Sequence, residues 1–131
     1  MERFPKYLLA LTLIFFVPIS IVSADAGEWD SLGGDRFSDE TAIWPSGGGA
    51  FKICLSSDSQ PGFYQLFEED PYSFDDKVKY GGVYFKTAGS NDFDSNGCHV
   101  FSDINDYVDD GQAEFYLKKY SSGESFVWFY D

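Results

Sequence analysis

Short apolar segments bounded by turn residues run through this sequence and restrict it to an all-β fold. In FKICLS, residues 51–56, Phe51, Ile53 and Leu55 alternate with other side chains, which is the two-residue period of a half-buried strand. Five further segments are rich in aromatic and β-branched residues and are bounded by Gly, Pro, Asn, Asp or Ser: 63–67, 82–86, 98–101, 113–118 and 125–130. No stretch after residue 26 keeps a helical period for three turns. The pattern predicts a small antiparallel β-sandwich, with Greek-key connections as one expected topology.

The first 26 residues have the order of a secretory signal peptide: a charged start, an apolar run, and small residues leading to Ala24 and Ala26. We therefore predict cleavage after Ala24 or Ala26 and a secreted protein. The alternative is a membrane anchor, but an apolar run of about 16 residues is shorter than the roughly 20 needed to span a bilayer. Residues 27–49 contain Gly clusters without a sustained period, so we expect an irregular arm, with one short strand around residues 41–44, before a sandwich domain at 50–131.

Cys54 and Cys98 are the two cysteines of the chain, and an even pair in an exported protein predicts one disulfide. Closing a loop of about 45 residues stabilises by roughly 4 kcal/mol in the chain-entropy model. The alternative is a catalytic cysteine beside His99, which an oxidising compartment disfavours.

The net charge of −13 restricts the partners that the protein can bind. Nucleic acids and anionic lipids are bound through Lys and Arg, so this charge argues against both. Aromatic residues make up 20% of the chain, which argues against acidic disorder. A basic protein is the partner that complements such a charge.

The densest acidic stretch, FEEDPYSFDDKV at residues 67–78, places Glu68, Asp70 and Asp76 directly after a predicted strand. Charges of one sign this close repel, and a shared cation would relieve the repulsion. Carboxylates are ligands that Ca²⁺ prefers. The acid-x-acid-x5-Asp spacing resembles the third calcium loop of the C-two domain family, whose β-sandwich modules bind Ca²⁺ and phospholipid. The resemblance covers about a dozen residues and implies a C-two-like sandwich with Ca²⁺ held by these three acids.

Two more acidic segments fit calcium loops on composition. DFDSNG at residues 92–97 begins like an Asp-x-Asp-x-Asn-Gly calcium loop, whose twelfth position is Asp103. The predicted ligands there are Asp92, Asp94, Asn96 and Asp103. NDYVDD at residues 105–110 resembles the acidic signature of βγ-crystallins, which implies an alternative β fold. For all three segments the alternative is a solvated acidic turn, a common feature of exported β-proteins.

The residue types disfavour catalysis and favour binding. With His99 as the sole histidine, no Ser-His-Asp or Cys-His arrangement can be singled out. We predict a secreted noncatalytic binding module, with Ca²⁺ at its acidic loops. The alternatives are a metal-independent acidic module that binds a protein, such as an inhibitor, toxin or antidote, and a carbohydrate-binding module. For the last of these, the candidate platform for a glycan is Trp44 with Trp128.

Overall fold

A computed structural model describes residues 28–131, so the predicted signal peptide and both of its cleavage sites lie outside the described residues. In chain order its strands are β1 (Ser31–Phe37), β2 (Trp44–Ser46), β3 (Ala50–Leu55), β4 (Gly62–Glu68), β5 (Asp76–Phe85), β6 (Cys98–Ser102), β7 (Ala113–Lys119) and β8 (Ser125–Tyr130). One turn of 3₁₀-helix, Asn105–Tyr107, lies between β6 and β7. The six segments predicted from alternation and turn residues are β3 to β8. No helix within residues 28–131 is long and apolar enough to cross a membrane.

The strands form two antiparallel four-stranded sheets. The first sheet has the order β1-β8-β3-β6, and the second has the order β2-β7-β4-β5. Among the described residues, β4 and β5 are the only consecutive strands that pair with each other; every other pairing joins strands that are distant in sequence. The predicted all-β sandwich is confirmed, and so is the Cys54–Cys98 disulfide, which joins directly opposite positions of β3 and β6.

The core lies between the two sheets and is built largely from aromatic rings. Phe51 of β3 packs against Phe115 of β7 with ring centroids 5.0 Å apart, and against Phe129 of β8 at 5.7 Å. All three side chains are fully buried. Large rings let a domain of this size bury enough apolar surface to fold. They also explain why the chain is so rich in Phe.

The interpretation of residues 27–49 as a largely irregular arm is wrong, because the seven-residue strand β1 lies there in addition to a short strand, β2, close to the one expected at residues 41–44. Gly33 and Gly34 interrupt the alternation of β1, and Gly33 adopts φ 130°, a conformation that other residues avoid. A side chain at Gly33 would meet the ring of Trp44, whose nearest atom would lie 2.9 Å away. Pro45 is accommodated because β2 is an edge strand. The first strands therefore belong to the sandwich, which begins well before residue 50.

Candidate functional site

An acidic cleft lies at one end of the second sheet, where β4 leads into the β4–β5 hairpin and β7 begins. Its volume is about 370 Å³. Six acidic residues line it: Glu68, Glu69, Asp70, Asp109, Asp110 and Glu114. The remaining lining residues are Pro71, Tyr72 and Gln112, so no lysine or arginine contributes to its wall. The fold thus joins the first and third acidic segments of the sequence in one place.

Glu68 is the most buried acid of this acidic cleft, with 8% of its surface exposed. It continues the inward-facing row of Tyr64 and Leu66, opposite Phe115 of β7 and Asp76 of β5. Among residues 28–131, no group donates a hydrogen bond to its carboxylate. Burial raises the pKa of Glu68 to about 7, and repulsion from Asp76 and then from the nearby acids of the cleft adds to the shift. Glu68 is therefore a buried acid surrounded by further negative charge.

Asp70, a predicted ligand, and Asp75, which is not among the predicted ligands, hold the hairpin loop together. The Asp70 carboxylate accepts hydrogen bonds from the Tyr72 amide at 3.0 Å and from the Ser73 hydroxyl at 2.7 Å. The Ser73 bond, followed by the amide, lowers the pKa of Asp70. Asp75 accepts bonds from the Asp70 amide at 3.2 Å and from the Tyr116 hydroxyl at 2.6 Å. These two carboxylates are engaged in turn formation, as acidic turn residues commonly are.

The tip of the hairpin exposes two aromatic side chains. Tyr72 is 97% exposed and Phe74 is 95% exposed, and Tyr72 also lines the acidic cleft. Behind them, Tyr116 stacks on Phe67 with ring centroids 5.3 Å apart and ties the loop down through its bond to Asp75. Burial, followed by the Asp75 bond, raises the pKa of Tyr116. The loop is anchored at its base while its aromatic tip stays open to solvent.

The opposite wall of the cleft comes from the turn before β7. Asp109 and Gln112 exchange two backbone hydrogen bonds, of 2.9 and 3.0 Å. Asp110 and Gly111 between them have φ angles of 52° and 83°, the left-handed pair typical of an Asp-Gly hairpin turn. The Glu69 amide donates to the Glu114 carbonyl at 2.9 Å and fixes this turn beside the hairpin. Sequence reasoning missed Glu114, because its place in the cleft depends on β7 pairing with β4.

The second predicted calcium loop lies elsewhere and forms a turn ahead of β6. One Asp92 oxygen accepts the Tyr84 amide at 2.7 Å, while one Asp94 oxygen accepts the amides of Asn96 at 2.8 Å and Cys98 at 3.0 Å. Asp94 and Asn96 line a small cleft that also contains Lys86. A lysine in that position competes with a metal ion for the same negative charge.

Asp103 lies at the far end of β6 from Asp94. The strand occupies residues Cys98–Ser102, and at about 3.3 Å per residue it separates the two acids by roughly 15 Å or more. Asp103 instead lines another cleft, of about 460 Å³, between β5 and β6. The twelve-residue loop predicted to start at Asp92 therefore does not form, because five of its residues belong to strand β6.

Within residues 28–131, no group of three or more His, Cys, Asp or Glu side chains is arranged to hold a metal ion. Calcium requires six to eight oxygens at about 2.3 to 2.6 Å from one centre. Glu68 and Asp70 line the acidic cleft, while Asp76 lies opposite Glu68 on β5 and is not part of the lining. The hydrogen bonds of Asp70 also turn its oxygens toward its own loop. The residues present do not fit a preformed calcium site, so Ca²⁺ binding stays a prediction.

The two tryptophans predicted as a glycan platform do not share a surface. Trp44 stacks on Phe129 at 5.0 Å, against the inner face of the first sheet. Trp128 lies between the buried residues Val127 and Phe129 of β8, so it faces outward and is 39% exposed. Phe126 lies on the same outer face of β8, and the ring centroids of Phe126 and Trp128 are 4.5 Å apart. Trp44 therefore supports the core, and Trp128 alone belongs to a surface.

His99 and the cysteines have structural roles. The His99 Nδ1 atom donates to the Asp92 carbonyl at 2.7 Å, and its ring packs on Phe101 at 4.8 Å. Both cysteines are committed to the disulfide. None of these groups lines the acidic cleft.

Comparison with known proteins places this fold in a family. Residues 30–129 match the family model described as the YndA coiled coil domain. The chain belongs to this family. A relative is the uncharacterised protein YndA of Bacillus subtilis, 34% identical over 112 residues, which amount to 83% of this chain and 78% of the relative. No solved structure matches the chain. Although the YndA family model is named for a coiled coil, its matched residues here fold into eight strands and one 3₁₀ turn.

Proposed function

We propose that this protein is a secreted, noncatalytic binding module whose acidic cleft binds a positively charged ligand. The observation that carries the proposal is Glu68, a buried carboxylate with no hydrogen-bond donor among the described residues and with further acids around it. Burying an ionised carboxylate without a partner is costly, and the cost is recovered when a cation enters. A ligand that brings positive charge is therefore the natural complement of the cleft.

Nothing in the described part of the chain neutralises the cleft. The single ion pair within residues 28–131 joins Arg36 of β1 to Glu124, at 2.7 Å, and both belong to the first sheet and its adjoining loop. The cleft opens from the second sheet and has only acids as its charged residues. Charge of one sign concentrated in a concave surface also attracts ligands over distance.

The noncatalytic part of the proposal rests on the residue types of the sequence, in which no Ser-His-Asp or Cys-His arrangement can be singled out. Export is supported by the charged, apolar and small-residue order of residues 1–26 and agrees with a disulfide in the folded domain.

Thermal unfolding with different cations tests the proposal. Ca²⁺ and spermidine are added separately at equal ionic strength, with NaCl as the reference, because salt alone screens repulsion. A cation at ten times its Kd stabilises the folded protein by about 1.4 kcal/mol, which is a few degrees in Tm.

Glu68→Gln should remove the shift that exceeds the NaCl reference. Glu124→Gln, which makes the same change of charge at the first sheet's loop, should retain it. The proposal fails if neither Ca²⁺ nor spermidine stabilises beyond NaCl, or if Glu68→Gln responds as the wild type does.

A second candidate function is glycan binding on the outer face of the first sheet. Trp128 and Trp29 are both more than a third exposed there, and the Lys52 ammonium lies 4.8 Å from the Trp29 ring and 4.5 Å from the Tyr130 ring. Exposed aromatic rings on one face are the kind of surface that sugars stack on. Loss of binding to cell-wall polysaccharide in Trp128→Ala, with folding unchanged, would identify this face as the functional one.

A further inference from the structure

We infer that the group bound in the acidic cleft is a lysine or arginine side chain of a partner protein, rather than a bare metal ion. This inference rests on the proposed function, because it names the ligand of the same cleft. The carboxylates, the size of the cleft and its aromatic rim each support it.

The carboxylates supply charge without supplying a coordination shell. Both oxygens of Asp70 already accept hydrogen bonds from their own loop, and the two oxygens of Asp75 accept bonds from the Asp70 amide and from the Tyr116 hydroxyl of β7. A metal such as Ca²⁺ would need many of these oxygens to turn toward one centre. An ammonium or guanidinium group needs only a few acceptors, and the Glu68 carboxylate is free of bonds within the described chain.

The volume of the cleft fits a side chain better than an ion. It encloses about 370 Å³, room for roughly ten water molecules. A calcium ion fills only the centre of a tight cage, whereas a basic side chain also brings several methylene groups. Pro71 in the cleft wall offers apolar surface to such groups while the charged end reaches the acids.

The rim of the cleft carries an aromatic ring that nothing in the described chain covers. Tyr72 is 97% exposed at the hairpin tip and lines the cleft, so its ring can close over an entering cation. Phe74 is 95% exposed on the same tip but does not line the cleft. A small free cation would leave Phe74 in water, whereas a protein surface around the basic residue would cover it. Exposed aromatic residues beside a charged pocket are typical of protein interfaces.

The inference is tested with two short peptides, one of alternating glycine and arginine and one with each arginine replaced by neutral citrulline. Binding to the intact secreted protein is measured by fluorescence anisotropy at physiological ionic strength. We expect the arginine peptide to bind at least about tenfold more tightly than the citrulline peptide, since an unpaired buried charge is costly. Glu68→Gln should abolish this difference.

Tyr72→Ala should weaken binding of the arginine peptide by about two- to fivefold, the value of one exposed cation–π contact. Tyr80→Ala is the matched control, because Tyr80 is 84% exposed but lines the cleft between β5 and β6. The inference is overturned if both peptides bind equally or if Tyr72→Ala has no effect. If Ca²⁺ stabilises through Glu68 while the arginine peptide does not bind, the inference fails and the proposed function stands. If no cation acts through Glu68, both fail.

Discussion

Glu68 occupies a position where the alternation of β4 calls for an apolar side chain. Tyr64 and Leu66 on the same face are fully buried, and Glu68 is almost so. Its carboxyl has its pKa raised from an ordinary value of 4.5 to about 7, first by burial and then by repulsion from Asp76. This shift in pKa means that folding favours the protonated form of Glu68 over the ionised form by roughly 3 kcal/mol. The ionised side chain of Glu68 therefore lowers the stability of the folded state, as residues at functional sites often do.

We predict that the stability of the folded protein depends on pH through Glu68. Between about pH 4.5 and pH 7 the folded state keeps the Glu68 proton while the unfolded state loses it, so stability should fall as pH rises through this range. Below this range both states are protonated, and above it both are ionised. Glu68→Gln cannot ionise and should be more stable than the wild type at pH 8 by about 1 to 3 kcal/mol, but not at pH 4.

Urea unfolding at pH 4 and pH 8 measures this difference. The acids that face Glu68 are Asp70, Asp76, Asp109 and Glu114, and all are present in both proteins, so their titration largely cancels in the comparison. Glu124→Gln, at an exposed ion pair, should change stability by less than about 1 kcal/mol at either pH. Equal stability of wild type and Glu68→Gln at pH 8 would show that Glu68 is not destabilising when ionised.

At the scale of single residues, sequence reasoning could locate the acids but not assign their roles. Asp70 and Asp94 have the residue type and spacing of metal ligands, yet each accepts amide bonds of its own turn. The same short polar side chain suits both tasks, so composition alone cannot separate them. Glu68 differs from its neighbours only by its place in the inward row of a strand, which becomes visible once the register of β4 is known.

At the scale of strands, the disulfide fixes an edge of the first sheet. Cys54 and Cys98 are opposite each other in β3 and β6, and β6 is an edge strand of five residues with no second neighbour in its sheet. The bond closes a loop with a sequence separation of 44 residues that contains the whole β4–β5 hairpin. It therefore constrains the unfolded chain and holds a short strand in place.

We predict that reduction of this disulfide, or the double change Cys54→Ala with Cys98→Ala, lowers the free energy of unfolding by about 2 to 4 kcal/mol. Denaturant unfolding measures the loss, and amide hydrogen exchange should show β6 exchanging faster while β7 remains protected. An unchanged unfolding midpoint after complete reduction would contradict this prediction and would mean that β6 stays paired without the disulfide.

The strands that the sequence revealed differ physically from those that it hid. β3 to β8 carry alternating or aromatic side chains that mark them, whereas β1 has Gly33 and Gly34 in place of side chains and β2 is three residues long with Pro45 at its centre. Such strands are specified by their neighbours: β1 pairs along β8, and β2 pairs along β7. Local pattern predicts a short strand at residues 41–44, near β2, but it could not find β1, because the information for that strand lies in its partner.

At the scale of the whole molecule, export is the property that the N-terminal sequence predicts. The net charge of the chain is −13, and the folded domain places six acidic residues around one cleft. We predict that protein secreted by a host carrying the full gene begins at Asp25 or Gly27, since the small residues before both positions suit a signal peptidase. Mass spectrometry of the culture medium determines the N-terminus. Recovery of the uncut chain in the membrane fraction alone would contradict this prediction.

The pairing of the strands also decides when this protein can fold. β8 lies between β1 and β3, so the first sheet cannot assemble until residues 125–130 have been synthesised. Until then the β4–β5 hairpin is the one strand pair that can close locally, and an isolated hairpin is only marginally stable in water. Assembly from distant partners is also slow. The second sheet has all of its strands by residue 119, so the first sheet, and with it the closed sandwich, is the part of the fold that must wait for β8.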